Sequence, residues 1–74
     1  MIEEINMKIG DLVVARDVSF EGDKVLSVGT PGLVIKVEEG TAFFNAQVSV
    51  YWMRYGYHTW EHPAAVAVVS SVKK

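Results

Sequence analysis

Apolar and polar residues alternate along much of this chain, and that alternation is typical of half-buried β-strands. The clearest stretch runs from Ala46 to Met53, where Val48, Val50 and Trp52 share one face of a strand. No segment of ten or more residues shows a convincing helical period. The pattern therefore predicts an all-β domain.

Glycine, proline and acidic residues separate the apolar runs into five short strands. The predicted strands are 12–16, 33–38, 46–53, 57–61 and 66–69. A long, polar first loop follows the first strand over residues 17–30, and Gly29-Thr30-Pro31-Gly32 predicts a type II turn in which Pro31 fixes φ and Gly32 takes positive φ. Arg54-Tyr55-Gly56-Tyr57 predicts a tight hairpin connection, and Pro63 predicts one 3₁₀ turn before the last strand.

The same alternation predicts which residues form the core. Most of them are β-branched, which suits pleated, half-buried positions. The predicted core residues are Val13, Ala15, Val34, Val37, Val48, Val50, Val66 and Val68. Trp52 is expected to cap this core.

Length, composition and charge limit the class of protein. The chain has 74 residues, which predicts one domain over 8–71 with short tails at 1–7 and 72–74. There is no cysteine, so disulfides and thiolate sites are excluded. The acidic start and the lack of a run of about 20 apolar residues predict a cytoplasmic protein with no membrane contact. A net charge of −2 disfavours tight binding to phosphate backbones.

One segment matches a catalytic motif. His58-Thr59-Trp60-Glu61-His62 has the H-x-x-E-H order of inverted zinc peptidases, in which two histidines share a helical face. On the predicted strand, residues four apart lie about 13 Å from each other, too far to share one zinc ion. The serines and the Gly29–Gly32 segment also lack the context of a nucleophile elbow or a phosphate loop. We therefore expect no enzyme activity, no metal and no cofactor.

The order of strands and turns resembles that of small barrels. Gly10-Asp11-Leu12-Val13-Val14, followed by Gly29-Thr30-Pro31-Gly32-Leu33-Val34, is similar to the opening of KOW and Tudor-type SH3-like barrels. Val48-x-Val50-x-Trp52, Trp60-Glu61 and the apolar last strand resemble small uncharacterised barrel proteins encoded by bacteriophages. The resemblance implies a five-stranded SH3-like barrel and, for a phage protein, a location in the host cytoplasm or the virion. It says little about function, because this barrel serves many functions.

All but one of the aromatic residues fall between Phe43 and Trp60. A domain this small cannot bury every ring, so a group of exposed aromatics on the predicted hairpin indicates a recognition surface. The candidate binding residues are Phe20, Phe43, Phe44, Tyr51, Arg54, Tyr55, Tyr57 and Trp60. The leading interpretation is a non-enzymatic module that binds a protein, such as a phage accessory or assembly factor, with Asp17, Glu21 and Asp23 facing a basic partner.

Several alternatives remain open at this point. The same rings, helped by Arg54, Lys36, Lys73 and Lys74, would stack the bases of single-stranded nucleic acid. Some of them would form an aromatic cage for a methylated cation, as in Tudor domains. Self-association through the apolar edge 66–69 is a further option. Finally, the three phenylalanines, Phe20, Phe43 and Phe44, would be buried if they plug the ends of the barrel.

Overall fold

The structure, a computed structural model, describes residues 7–16, 19–21 and 24–70. Seven strands and one 3₁₀ turn occupy these residues. They are β1 (Leu12–Ala15), β2 (Ser19–Glu21), β3 (Lys24–Leu26), β4 (Pro31–Glu38), β5 (Gln47–Trp52), β6 (Tyr57–Glu61), the 3₁₀ turn Pro63–Ala65, and β7 (Val66–Ser70). The all-β prediction is confirmed. No helix in this part of the chain is long and apolar enough to cross a membrane.

The main sheet is antiparallel and has five strands in the order β6-β5-β4-β1-β7. These are the five strands that the sequence predicts, with ends that differ by a few residues. The single 3₁₀ turn before the last strand is also confirmed, and the Nδ1 atom of His62 accepts a hydrogen bond of 3.1 Å from the Ala64 N–H at its start. Both predicted tails, apart from Met7 and its contact with the core, fall outside the described residues.

The first loop contains structure that the sequence did not predict. β2 and β3 form a separate two-stranded hairpin in which Phe20 pairs with Val25. Leu26, at the end of this hairpin, is fully buried in the core of the main sheet. The hairpin is therefore attached to the domain by an apolar side chain.

The predicted turn lies at a different position. The Thr30 N–H donates to the Ser27 carbonyl at 3.1 Å, and Gly29 has a φ of 88°. A bond between positions one and four with positive φ at the third is the signature of a type II turn. The turn therefore covers residues 27–30, and the assignment of positive φ to Gly32 was wrong, because Gly32 already belongs to β4.

Gly32 is required by packing instead. A Cβ atom at this position would lie 2.4 Å from Val50 Cγ1 and 2.8 Å from Trp52 Cε3. The Trp52 ring therefore packs directly on the backbone of the neighbouring strand. Trp52 itself is 1% exposed, so its predicted place in the core is confirmed.

The core lies on one face of the main sheet. Most of its predicted members are confirmed, and Leu26 and Trp52 join them in one cluster, against which Met7, Val37 and Tyr57 pack. Val37 is thus only partly buried, and the prediction for Val68 was wrong, because this side chain is 40% exposed. β7 is an edge strand with a register shift opposite Leu12 and Val13, so burial falls from Val66 toward its end.

Candidate functional site

The most exposed aromatic rings lie in the loop between β4 and β5. Phe43 is 88% exposed and Phe44 is 75% exposed. The hydroxyl oxygen of Thr41 accepts hydrogen bonds of 3.1 Å from the N–H groups of both residues, and the Thr41 N–H donates to the Phe44 carbonyl at 2.8 Å. The loop thus has a defined backbone that holds two adjacent rings in solvent, and neither ring plugs the core.

A second group of rings lies on the outer face of the main sheet. Ser49 of β5 pairs with Lys36 on one side and with Trp60 on the other. The Lys36 ammonium nitrogen lies 5.9 Å from the centroid of the Trp60 ring, which is within the range of a cation–π contact. Ser49 lies between these two long side chains and is only 2% exposed although it faces outward. Tyr51, one step along this face, pairs with His58 and is exposed.

The turn between β5 and β6 holds a third group. The N–H groups of Tyr55 and Gly56 both donate to the Trp52 carbonyl, and Gly56 has a φ of 74°. Tyr55 is exposed, and its ring stacks on that of Tyr57 with centroids 5.8 Å apart and an angle of 28°. Arg54 is exposed in the same turn.

Tyr57 differs from the other candidates because it faces the core. It pairs with Trp52 across the strands, and directly paired residues project from the same side of a sheet. Its ring packs against the core cluster and its hydroxyl oxygen is shielded from solvent. The rings of Tyr57 and Tyr55 stack on each other in an offset arrangement, and they do not form a cage with room for a cation.

The predicted binding residues therefore do not form one surface. The loop of Phe43 and Phe44 precedes the first residue of β5, whereas the turn of Tyr55 follows its last residue. Those two ends are separated by the length of the strand, about 17 Å for six residues. Tyr51 and Trp60 lie between them on the outer face. The side chain of Phe20, like those of Asp17, Glu21 and Asp23, falls outside the described part of the structure.

Acidic side chains lie at the end of the sheet that carries the Phe43–Phe44 loop. Glu38 and Glu39 are exposed at the end of β4, where the Phe43–Phe44 loop begins, and Glu38 accepts a hydrogen bond of 2.9 Å from the Gln47 amide. Glu61, which pairs with Val48, lies at this end as well. The loop end is therefore acidic, which sequence reasoning missed although Glu38-Glu39 directly precedes the loop.

Three of the H-x-x-E-H residues, Thr59, Glu61 and His62, make hydrogen bonds within the fold. Thr59 lies in the core, where its hydroxyl accepts a hydrogen bond of 2.8 Å from the Trp52 indole N–H and donates one of 2.6 Å to Glu61. His58 is exposed on the strand and His62 begins the 3₁₀ turn. No group of three or more His, Asp or Glu side chains suited to hold a metal ion occurs among residues 7–16 and 26–70.

Comparisons with known proteins give no family for this chain. No family model, curated protein or solved structure matches it. Any function must therefore be argued from the three surfaces described above.

The apolar edge of the sheet is the remaining feature. β7 is the last strand of the main sheet, and Val68 and Val69 on it are 40% and 59% exposed. The register shift opposite Leu12 and Val13 interrupts regular pairing next to this edge. Such irregularity is one of the devices by which edge strands avoid pairing with another chain.

Proposed function

We propose that this chain is a non-enzymatic binding module that contacts a protein partner through the Phe43–Phe44 loop. The observation that carries the proposal is the exposure of two adjacent phenylalanines on a loop whose backbone is fixed by Thr41. Large apolar side chains are normally inside, and rings held in solvent by an ordered loop are typical of contact sites. Because the loop is already ordered, little conformational entropy is lost when it binds.

We further propose that the sheet closes into an SH3-like barrel that holds this loop at one end. One core cluster joins residues of β7, at one edge, to residues of β5, next to the other edge. Only His62–Ala65 connect β6 to β7, and a 3₁₀ turn advances by about 2 Å per residue. The edges of a flat five-stranded sheet would be about 19 Å apart, so this short link favours a curled sheet.

The rings are large enough to give useful affinity. Burying one phenylalanine side chain contributes about 1.5–3 kcal/mol. Removing one ring should therefore weaken binding by about 10- to 150-fold, since 1.4 kcal/mol corresponds to a factor of ten. The acidic residues beside the loop favour a protein over nucleic acid, because Glu38 and Glu39 repel phosphate groups.

The test is affinity capture with matched variants, followed by reconstitution. Nuclease-treated extract is passed over the wild-type protein, a Phe43→Ser/Phe44→Ser variant and a Tyr55→Ser control, whose change lies at the opposite end of β5. A protein retained by the wild type and the control but lost by the loop variant is then purified. Calorimetry should give a defined stoichiometry for the wild type, the loss of affinity stated above for each of the single variants Phe43→Ser and Phe44→Ser, and a larger loss for the double variant. Retention that is independent of both phenylalanines would contradict the proposal.

Single-stranded nucleic acid is the second candidate, and one observation favours it. Lys36, Trp60 and Tyr51 combine a cation with two exposed rings on the outer face, and aromatic rings beside basic residues are the usual platform for unpaired bases. A titration of ¹⁵N-labelled protein with DNA and RNA single strands at low and moderate salt decides between the two. Shifts at these three residues that fade as salt rises would favour nucleic acid, whereas unchanged spectra at low salt would remove it.

A further inference from the structure

We infer that the partner of the Phe43–Phe44 loop presents an apolar pocket bordered by lysine or arginine side chains. This inference rests on the proposed function, since it describes the chemistry of the surface that the loop would enter. It adds that charge, and not only apolar contact, selects the partner.

The charged residues of the loop segment itself are all acidic. From Val37 to Met53 the only charged residues are Glu38 and Glu39, and both side chains are exposed. The nearest basic residue along β4 is Lys36, whose ammonium group lies over the Trp60 ring on the outer face. The two rings are thus accompanied by two carboxylates and by no cation from the loop itself.

The positions of the carboxylates make them suitable as a rim. Glu38 is the last residue of β4 and pairs with Gln47, the first residue of β5, so it lies at the base of the loop. Its hydrogen bond from the Gln47 amide restrains the carboxylate there. Glu39 follows it in the chain. Protein interfaces commonly have an apolar centre that supplies affinity and a charged rim that selects the partner.

Acidic or phosphate-bearing surfaces do not fit this arrangement. If such a surface covered the rings, it would bring its charges close to Glu38 and Glu39 as water is excluded, and like charges brought together in an interface are costly. A purely apolar surface would leave both carboxylates partly desolvated without a partner. A basic border removes both penalties.

The experiment uses a display library of small folded scaffolds with a randomised surface in which Lys, Arg, Asp and Glu are equally frequent. Selection is made on the intact protein, with an excess of the Phe43→Ser/Phe44→Ser variant in solution to remove clones that bind elsewhere. We expect the selected surfaces to be enriched in aromatic or aliphatic residues together with Lys and Arg. Their affinity should fall for a Glu38→Gln/Glu39→Gln variant, which retains side-chain size and hydrogen-bonding capacity but loses both charges.

The expected loss is about 2- to 30-fold at low salt, because two exposed ion pairs contribute about 0.2–1 kcal/mol each. It should shrink as salt is raised. Clones that need both phenylalanines but show neither Lys/Arg enrichment nor sensitivity to the Gln variant would overturn the inference and leave the proposed function in place. If no selected clone depends on the loop, the proposed function fails and this inference fails with it.

Discussion

The contact between Gly32 and Trp52 gives the sharpest stability prediction. In Gly32→Ala, the new Cβ atom would meet Val50 Cγ1 at 2.4 Å and Trp52 Cζ3 at 2.9 Å. Both neighbours are fully buried on β5, so neither can swing into solvent to make room. Overfilling a packed core in this way costs about 1–3 kcal/mol. The usual small gain from replacing glycine by alanine is therefore reversed at this site.

For a domain of this size, each kcal/mol lowers Tm by about 4–8 °C. A cost of about 2 kcal/mol should thus lower Tm by about 8–16 °C. The measurement is thermal and urea unfolding of the wild type and the variant, followed by far-ultraviolet circular dichroism and by tryptophan fluorescence. The urea midpoint should move with little change in slope, since the unfolded state is unaltered.

Gly29 supplies the matched control because it is needed for a different reason. No atom lies within 4 Å of a Cβ built on it, but its φ is 88°. Asparagine tolerates positive φ better than alanine does. In a packed site, however, asparagine should be more destabilising than alanine because its side chain is larger. We therefore expect Asn to be milder than Ala at Gly29 and more damaging than Ala at Gly32. A Gly32→Ala protein as stable as the wild type, or the same Ala–Asn order at both glycines, would refute the steric reasoning.

Three further predictions concern polar contacts. Thr59→Val removes the acceptor of the buried Trp52 indole N–H and should lower the free energy of unfolding in urea by about 1–3 kcal/mol. The loss should be smaller for Thr59→Ser, which keeps the hydroxyl, and equal losses in the two variants would contradict a role for this bond. Asp11→Ala should cost about 1–3 kcal/mol, because the fully buried carboxylate accepts the Lys8 N–H at 2.9 Å, and a change within experimental error would contradict that role. Lys36→Met keeps most of the side-chain stem but removes the cation above Trp60. We expect the free energy of unfolding to fall by only about 0.5–1 kcal/mol and the fluorescence emission of Trp60 to change. An unchanged emission spectrum would count against the contact.

The five strands of the main sheet could be predicted because each one shows apolar–polar alternation or is bounded by turn-forming residues. The β2–β3 hairpin could not, since its strands have three residues each and its polar sequence resembles that of a loop. Among the described side chains of this hairpin, Leu26 packs in the core, and periodicity cannot assign a place to one apolar residue. The role of Gly32 was equally inaccessible, because the neighbouring Trp52 ring comes from a strand that is distant in sequence.

Only part of the candidate site could be predicted. Exposure of most of the described rings was expected, but the sequence did not show that they are divided among two ends and a face. One available signal was the parity of positions along β6. Tyr57 and Thr59 share a face, as do His58 and Trp60, but only the structure, in which Thr59 is buried, shows that the face of Tyr57 is the one toward the core. The strand register that combines Lys36 with Trp60 depends on the bulge near Ile35, which no local pattern marks.

The fold and the proposed contact rely on different residues, and this makes the binding tests interpretable. Core packing involves Gly32, Trp52 and Thr59, whereas the Phe43–Phe44 loop takes its shape from the hydroxyl of its own Thr41. Removing the exposed rings should therefore leave the free energy of unfolding within about 0.5 kcal/mol of the wild type, as for other surface changes. A loop variant that loses binding while its stability is unchanged would locate the contact at the loop. A loop variant that also unfolds would mean that the rings stabilise the domain, and their exposure would then not be a sign of recognition.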